Sequence, residues 1–172
     1  MGNSQAQFAA LVQAYSADLY RFAVWLCRDR VWAEDLVQDT YLRAWRGLAR
    51  LRSEESAKAW LLTILRREHA RQRQQQHHDV ALDDGDLPES STEHEETDTD
   101  TVNLRQAILQ LTDDYREPLL LQVIGGFSAE EIGQMMNLSA QTVLTRLFRA
   151  RQKLRVELIR RSGTKADKGK KA

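Results

Sequence analysis

Apolar residues recur every three or four positions along most of the chain, which is the spacing of one face of an α-helix. Strand-like alternation is rare and the chain contains only 2 prolines, so the pattern predicts an all-α fold. In the N-terminal part it predicts a long first helix, a second helix and a third that begins near Ala57. The inward positions of these helices are expected to be Phe8, Leu11, Val12, Tyr15, Leu19, Phe22, Leu26, Leu36, Val37, Thr40, Tyr41, Ala44, Trp45, Trp60, Leu61, Ile64 and Leu65.

The C-terminal part of the pattern predicts further helices. Apolar spacing indicates the first of them, through Leu104, Ala107, Ile108 and Leu111. The next is expected to begin near Pro118 and to end at Gly125–Gly126, because proline is tolerated in a first turn and glycine is favoured after a last one.

A capping box marks the start of the following helix, where the Ser128 hydroxyl and the Glu131 carboxylate can each accept a hydrogen bond from the other's backbone amide. Residues 137–139 then predict a short turn, and Ser139 is placed to cap the last helix. That last helix has an apolar face opposed to a polar, basic one. The apolar face carries Val143, Leu147, Ala150 and Leu154, and the polar face carries Gln141, Thr145, Arg149 and Gln152.

Two helices joined by a tight turn, the second presenting amides, hydroxyls and guanidinium groups, fit the major groove of B-DNA. Amide side chains can pair bidentately with adenine and guanidinium groups with guanine, whereas capping amides and other cations hold phosphates. We therefore predict a helix-turn-helix at about residues 126–154 that reads duplex DNA; a plain helical bundle with a basic face is the alternative. Further cations are interpreted as phosphate contacts or solvated charge: Arg151, Lys153, Arg155, Arg160 and Arg161.

The formal net charge of zero conceals a segregation of charge along the chain. Residues 79–100 hold 10 of the 25 acidic residues and no lysine or arginine, whereas residues 41–78 carry 9 basic against 3 acidic residues and residues 139–172 carry 11 against 2. The acidic stretch contains glycine and proline and lacks helical periodicity. It therefore predicts a flexible acidic linker between two small helical domains. The lysine-rich end, residues 163–172, is expected to be disordered.

Composition argues against several classes of protein. No apolar run approaches the ~20 residues that a membrane span needs and no secretory signal is recognisable, so we expect a cytoplasmic protein. The single cysteine, Cys27, is expected to be a buried, inert thiol. The 4 histidines lack ligand spacing, and neither a phosphate-cradling glycine loop nor a Ser/His/Asp set is recognisable. We therefore expect no enzyme activity, no metal and no cofactor.

The C-terminal helices also carry a family resemblance. The runs 126–133 and 142–151 resemble region 4 of bacterial sigma factors, specifically of the extracytoplasmic-function (ECF) group. The resemblance implies recognition of the promoter −35 element, and it places Leu144 where the family usually carries Lys or Arg. The residues expected at −35 DNA are Ser139, Gln141, Thr142, Thr145, Arg146 and Arg149.

The segment 32–45 resembles region 2.2 of the same family. It carries, at helical intervals, a set that we call the acidic patch: Glu34, Asp35, Gln38 and Asp39. Such a patch favours a basic protein partner, and the resemblance implies that Asp35, Gln38 and Asp39 contact the clamp helices of the RNA polymerase β′ subunit. A solvated acidic face is the alternative interpretation.

The loop 47–58 and the helix from Trp60 resemble regions 2.3 and 2.4, with which ECF factors melt the −10 element and hold an extruded base. Unstacking a base costs free energy, so a pocket and a basic track must offset it. The residues expected at −10 DNA are Trp60, Arg66, Arg67, Arg71 and Arg73. Thr63 and Arg67 depart from the family pattern, which usually has Arg and Asn at these positions.

The resemblance implies a sigma factor whose partners are core RNA polymerase, through the β′ clamp helices and the β flap, promoter DNA, and an anti-sigma factor. The expected divisions are region 2 at 5–78, the linker at 79–100, region 4 at 101–162 and the tail at 163–172. In the polymerase the acidic linker would thread a channel built for phosphates; in the free protein it would cover the basic faces. The rival interpretation is a stand-alone helix-turn-helix regulator that dimerises on an operator.

Overall fold

The computed structural model describes residues 2–27, 29–51, 53, 56–80 and 99–168. The chain divides into two compact units, residues 1–92 and 93–172. Within the described residues the regular structure is entirely helical, which confirms the predicted all-α fold. The division falls inside the predicted linker 79–100. Most of that linker lies outside the described residues, but its first two residues end one helix and its last two begin another.

The described part of the N-terminal unit contains α1 (Gly2–Leu26), α2 (Arg30–Gly47) and α3 (Ala57–Val80), with a short 3-10 turn at Leu48–Arg50. Each of the three helices packs against the other two. The Asp29 side chain caps α2 by accepting a hydrogen bond of 2.6 Å from the backbone amide of Trp32. The third helix begins at Ala57, as the apolar pattern predicts.

Most predicted core positions of this unit are confirmed. Those that are buried include Leu11, Leu19, Phe22, Leu26, Leu36, Thr40, Ala44, Leu61 and Leu65. Trp45 differs: its ring packs edge-on against Phe8, with 5.2 Å between centroids, yet 46% of the residue is exposed. The prediction that Trp45 points inward is therefore wrong, because it lies at the margin of the core, where Phe8 covers one of its sides. Cys27 is fully buried, as expected.

The described part of the C-terminal unit contains α4 (Thr99–Leu109), α5 (Asp113–Val123), α6 (Ala129–Met136) and α7 (Ala140–Lys168). The prediction that the second of these begins near Pro118 is wrong, since α5 begins at Asp113. The amides of Tyr115 and Arg116 already bond to the Thr112 carbonyl, at 3.0 and 2.9 Å. Every residue from 116 to 121 is buried. Burial of this segment offsets the backbone hydrogen bond that an interior proline loses.

The end of the chain also departs from expectation. The helix α7 continues to Lys168, so residues 163–168 are helical rather than disordered. Extending an existing helix fixes one residue for each hydrogen bond gained, which is far easier than starting a new helix. The remaining tail residues, 169–172, lie outside the described residues.

A buried arginine closes the end of α4. The Arg116 guanidinium donates to the carbonyl of Ile108 at 3.2 Å, to that of Leu109 at 2.6 Å, and to that of Leu111. Carbonyls at the end of a helix have no partner within the helix, so Arg116 satisfies them from α5. Around it lies a core that includes Ala107, Ile108, Leu111, Leu119, Leu120, Leu121, Ile132, Val143, Leu147 and Ala150.

Candidate functional site

The turn between α6 and α7 is tight because a glycine lies where the backbone of α6 comes closest to the backbone of the turn. Asn137 ends α6 in the left-handed conformation, with φ 56° and ψ 48°. Its amide and that of Leu138 both donate to the Gly133 carbonyl, the second at 2.8 Å. A Cβ atom on Gly133 would lie 2.7 Å from the Leu138 carbonyl oxygen. The absence of a side chain at this position therefore sets where α7 begins.

Side chains cap both helices of this pair, which confirms two sequence predictions. The Ser128 hydroxyl accepts from the Glu131 amide at 3.2 Å, and the Glu131 carboxylate accepts from the Ser128 amide at 2.8 Å. The Ser139 hydroxyl accepts from the Thr142 amide at 3.1 Å and lies 2.8 Å from the Thr142 hydroxyl oxygen. Because the first turn of α7 is held in this way, the side chains that follow it have defined positions.

The two faces of α7 differ as the pattern predicts. Val143, Leu147 and Ala150 are buried. The opposite side exposes Gln141, Thr142, Thr145, Arg149 and Gln152, all of them polar. The same side also exposes two large apolar residues, Leu144 (49%) and Phe148 (62%). The exposed face is therefore mixed in character.

Arg146 forms an ion pair within the unit. Its guanidinium lies 3.0 Å from the Asp114 carboxylate of α5, and its side chain is only 25% exposed. The pair lines an open cleft together with Tyr115, Thr142, Thr145 and Arg149. Because Asp114 is largely exposed, the pair contributes at most about 1 kcal/mol. A phosphate could therefore replace this carboxylate at little cost.

Two cations farther along α7 contact their own unit. Arg151 hydrogen-bonds to Gln122, and the Lys153 ammonium lies 5.5 Å from the centroid of the Tyr115 ring. Arg155 is exposed. Of these three cations, Arg155 fits best the interpretation as a solvated charge or phosphate contact.

The cations near the end of α7 gather around one carboxylate. Arg160 and Arg161 bind Glu157 at 2.7 and 2.6 Å. The hydrogen bond from Arg160, followed by that from Arg161, lowers the pKa of Glu157 to about 2. The same contact raises the pKa of Arg160. These two arginines therefore form ion pairs within α7 itself, which the sequence pattern did not indicate.

Three of the four residues of the acidic patch on α2 line a cleft in the N-terminal unit. The cleft is lined by Trp32, Asp35, Gln38, Asp39, Leu42, Gln72, Gln75 and Gln76. Asp35 and Gln38 are exposed, and Asp39 is half-buried. The three residues predicted to contact a partner thus lie together. Two carboxylates among amide groups suit a guanidinium or ammonium group on that partner.

Gln72 of α3 holds Asp39 across this cleft. Its side-chain nitrogen donates to the Asp39 carboxylate at 2.8 Å, and its oxygen accepts from the Trp32 indole N–H at 2.6 Å. The Arg71 guanidinium lies 3.9 Å from the same carboxylate oxygen. The sequence pattern did not predict that glutamines of α3 line this cleft. The sequence feature that could have indicated them is the glutamine-rich run 72–76, but such a run by itself is typical of a solvent-exposed helix.

The arginines of α3 do not form one face. At about 100° per residue, Arg66 and Arg73 project to one side of the buried stripe, while Arg67 and Arg71 project to the other. Arg71 also bonds to Glu68 at 3.0 Å. The four arginines of the expected basic track therefore do not share one side of α3, because positions 66 and 73 fall on one side and positions 67 and 71 on another.

Trp60 lies in the first turn of α3 and is half-buried. The end of α2 comes close to it, since a Cβ atom on Gly47 would lie 3.5 Å from the indole ring. Arg67 follows Trp60 by two helical turns and projects to the same side. Trp60, Arg67 and Arg71 therefore project to the same side of α3, whereas Arg66 and Arg73 project to another.

Among the residues that the structure describes, no group of three or more His, Cys, Asp or Glu side chains could hold a metal ion. None of the described helices has the length and apolar character needed to cross a membrane.

Comparison with family models finds two matches along the chain. Residues 11–78 match Sigma-70 region 2, and residues 101–154 match Sigma-70, region 4. Both matches follow the order expected from the sequence, and together they span most of the residues that the structure describes.

Individual relatives cover nearly the whole chain. The ECF RNA polymerase sigma factor SigC of Mycobacterium tuberculosis is 33% identical over 162 residues, which are 89% of this chain and 83% of that protein. SigM of Bacillus subtilis, also an ECF RNA polymerase sigma factor, is 27% identical over 149 residues, which are 84% of this chain and 91% of that protein.

Two solved structures have similar folds. The sigma factor RpoE from Bartonella quintana, crystallised with the anti-sigma factor NepR, aligns with a TM-score of 0.77 and 31% identity over 92% of this chain and 98% of that one. CnrH, solved with the cytosolic domain of CnrY, aligns with a TM-score of 0.64 and 25% identity over 90% of this chain and 88% of that one.

Proposed function

The chain belongs to the ECF RNA polymerase sigma factors of the sigma-70 family, and on that premise we propose how its two units share promoter recognition. As a sigma factor, it directs transcription initiation by bringing core RNA polymerase to promoter DNA. Residues 5–78 bind the core enzyme and the −10 element, and residues 101–162 bind the −35 element. Residues 79–100 link them, and residues 163–172 are a basic tail.

The cleft on α2 is the surface for core polymerase. Asp35, Gln38 and Asp39 line it, and they contact the clamp helices of the β′ subunit. The observation that carries this assignment is the fixed carboxylate of Asp39, which Gln72 holds at 2.8 Å. A carboxylate that is already oriented loses little conformational freedom when a cation of the partner docks.

The −10 element contacts α3. Trp60 supplies an aromatic surface for an extruded base, and Arg67 and Arg71 lie on the same side as the indole, where they contact the backbone of the melted strand. Arg66 and Arg73 project to the other side of the helix and hold phosphates at a different point of the strand. Arg71 is also close to Asp39, so it lies between the DNA surface and the polymerase surface.

The −35 element contacts the first turns of α7. Gln141, Thr142, Thr145 and Arg149 are exposed and face the base edges and phosphates, and Ser139 holds the start of the helix. Arg146 exchanges its partner Asp114 for a phosphate on binding. The β flap of the polymerase holds this unit at the −35 position.

The acidic linker has one role in the initiation complex and another in the free protein. In the initiation complex it threads the channel where nucleic acid later runs, because ten carboxylates without a lysine or arginine suit a channel built for phosphates. In the free protein it covers the basic surfaces and weakens solitary DNA binding. Deleting residues 79–100 should then raise non-specific DNA affinity at low salt, and an unaltered salt titration would contradict this role.

The remaining partner is an anti-sigma factor. The two similar structures were solved as complexes, RpoE with the anti-sigma factor NepR and CnrH with the cytosolic domain of CnrY. We expect a protein of the same kind to hold this sigma factor inactive in the cytoplasm. The sigma factor itself catalyses no reaction, because the chemistry of initiation belongs to the polymerase.

Matched variants in the two units test this division. Asp35→Lys should abolish capture by core polymerase, whereas Gln141→Ala should leave capture unchanged and remove protection of the −35 segment in a footprint of the holoenzyme. A stand-alone regulator would bind an operator as a dimer whether or not core polymerase is present. If the protein sediments with DNA as a dimer in the absence of core polymerase, and core polymerase does not capture it, the result would support that rival instead.

A further inference from the structure

Four large apolar residues of α7 remain exposed to solvent: Leu144, Phe148, Val156 and Ile159. At 1.5 Å per residue, Val156 and Ile159 lie about 24 and 28 Å from the start of the helix, whereas Leu144 lies about 6 Å from it. A major groove is about 12 Å wide. Leu144 is therefore within reach of the groove that the first turns of α7 enter, and the two distant residues are beyond it.

Leu144 shares this part of the helix with polar side chains suited to base edges. Gln141 precedes it by three residues and Thr145 follows it directly, and both are exposed. Phe148 lies one turn later on the same side and continues the apolar strip. About half of Leu144 is open to solvent (49%), so its side chain is available for a contact without any movement of the core.

The chemistry of leucine restricts what this contact can be. Leucine has no donor or acceptor, so it cannot bind a phosphate, and packing it against an unpaired polar base atom would cost free energy. The 5-methyl group of thymine is the apolar group that base edges present in the major groove. We propose that Leu144 is a specificity residue that packs against the methyl group of a thymine in the −35 element, an inference that rests on the proposed function of α7.

The contact predicts that position 144 contributes sequence preference rather than general affinity for DNA. A lysine or arginine at position 144 would reach a phosphate and add affinity for any sequence. Leucine instead gives up that affinity and adds a preference for one base. Burying one methyl group should change the dissociation constant about fourfold.

Replacing thymine by uracil tests the contact, because it removes only the methyl group. Holoenzyme reconstituted with purified core polymerase is used to select duplexes from a random library, and each thymine in the −35 segment of a selected duplex is then replaced by deoxyuridine. For the native protein we expect one position at which this change weakens binding about fourfold. For Leu144→Ala the same change should have no effect at that position.

Two further variants separate the contact from general effects on α7. Val156→Ala, on the exposed part of the helix beyond the groove, should keep the fourfold sensitivity to the methyl group. Leu144→Lys should lose it and should steepen the dependence of log affinity on log salt by about one unit. Because residues 144 and 156 are both exposed, all three variants should fold as the native protein does.

The outcomes distinguish this inference from the proposed function. If selected duplexes contain no thymine whose methyl group affects binding, or if Leu144→Ala keeps the full sensitivity, the inference is wrong while promoter recognition by α7 stands. If the holoenzyme selects no −35 sequence at all, both are wrong.

Discussion

Replacing Gly133 with alanine tests whether the tight turn before α7 sets the position of the reading helix. In a helix interior this substitution normally stabilises by about 0.5–1 kcal/mol, so helix propensity alone predicts a more stable protein. Here the added Cβ atom would lie 2.7 Å from the Leu138 carbonyl oxygen and 3.5 Å from the Ala140 amide nitrogen. Both are backbone atoms, so the turn itself must move to accommodate the new carbon.

The structure determines which of the two effects prevails. Forcing an extra carbon into a packed site costs about 1–3 kcal/mol. Opening the turn also weakens the 2.8 Å hydrogen bond from the Leu138 amide to the Gly133 carbonyl, which contributes about 0.5–1.5 kcal/mol. After the gain in helix propensity is subtracted, the free energy of unfolding is expected to fall by about 0.5–4 kcal/mol.

Urea denaturation followed by circular dichroism measures this loss, and −35 binding by the holoenzyme measures its functional effect. We expect Gly133→Ala to unfold at lower urea and to bind −35 DNA more weakly, while the contact of the acidic patch with core polymerase is unchanged, since that patch lies in the other unit. Gln134→Ala is the matched control, because that residue is exposed on the same helix. A Gly133→Ala protein that is at least as stable as the native one, with unchanged −35 binding, would refute the role of the turn.

Three further predictions concern contacts elsewhere in the two units. Gln72→Leu removes the donor that holds Asp39 at 2.8 Å, and it should weaken core polymerase binding about fivefold in a competition assay, which corresponds to one hydrogen bond. Arg116→Met leaves buried carbonyls at the end of α4 without their donor, and it should lower the free energy of unfolding in urea by about 2–4 kcal/mol. The pKa of Glu157 is lowered to about 2, chiefly by the hydrogen bond from Arg160. The stabilising effect of the charged Glu157 carboxylate is therefore fully present above the ordinary pKa of 4.5 and is lost as the pH falls from there towards 2. When melting temperature is measured against pH, Glu157→Gln should flatten the profile over this range.

Each of these predictions has a control or a contradicting result. Gln74→Leu changes an exposed glutamine of the same helix and should leave core binding unchanged; equal losses for both variants would mean that Asp39 does not depend on position 72. Arg155→Met removes an exposed cation and should have little effect on unfolding. For Glu157→Gln, a pH profile identical to the native one would show that this carboxylate does not contribute.

Contacts between near neighbours in the chain could be predicted from the sequence. The Ser128–Glu131 box and the Ser139 cap each join residues three positions apart, so the residue types and their spacing are sufficient evidence. The buried face of α7 was predictable for the same reason, because one helix determines which of its side chains lie together. These features establish the reading helix and its start.

Contacts between distant parts of the chain could not be predicted in this way. Gln72 bonds to Asp39 and Trp32, which precede it by 33 and 40 positions in the chain. The ion pair of Arg146 with Asp114 joins two different helices. Neither leaves a local pattern, because each depends on how the helices pack. Pro118 illustrates the same limit, since burial of its whole segment decided that a helix would continue through it.

In vitro transcription with purified core polymerase on a genomic promoter library tests the central claim most directly. The added protein should produce transcripts from a set of start sites that share both a −35 and a −10 element, and Asp35→Lys should produce none. If the native protein binds DNA in the same reaction but adds no transcript to those of core polymerase alone, it is not acting as a sigma factor, and the division of labour proposed for its two units is wrong.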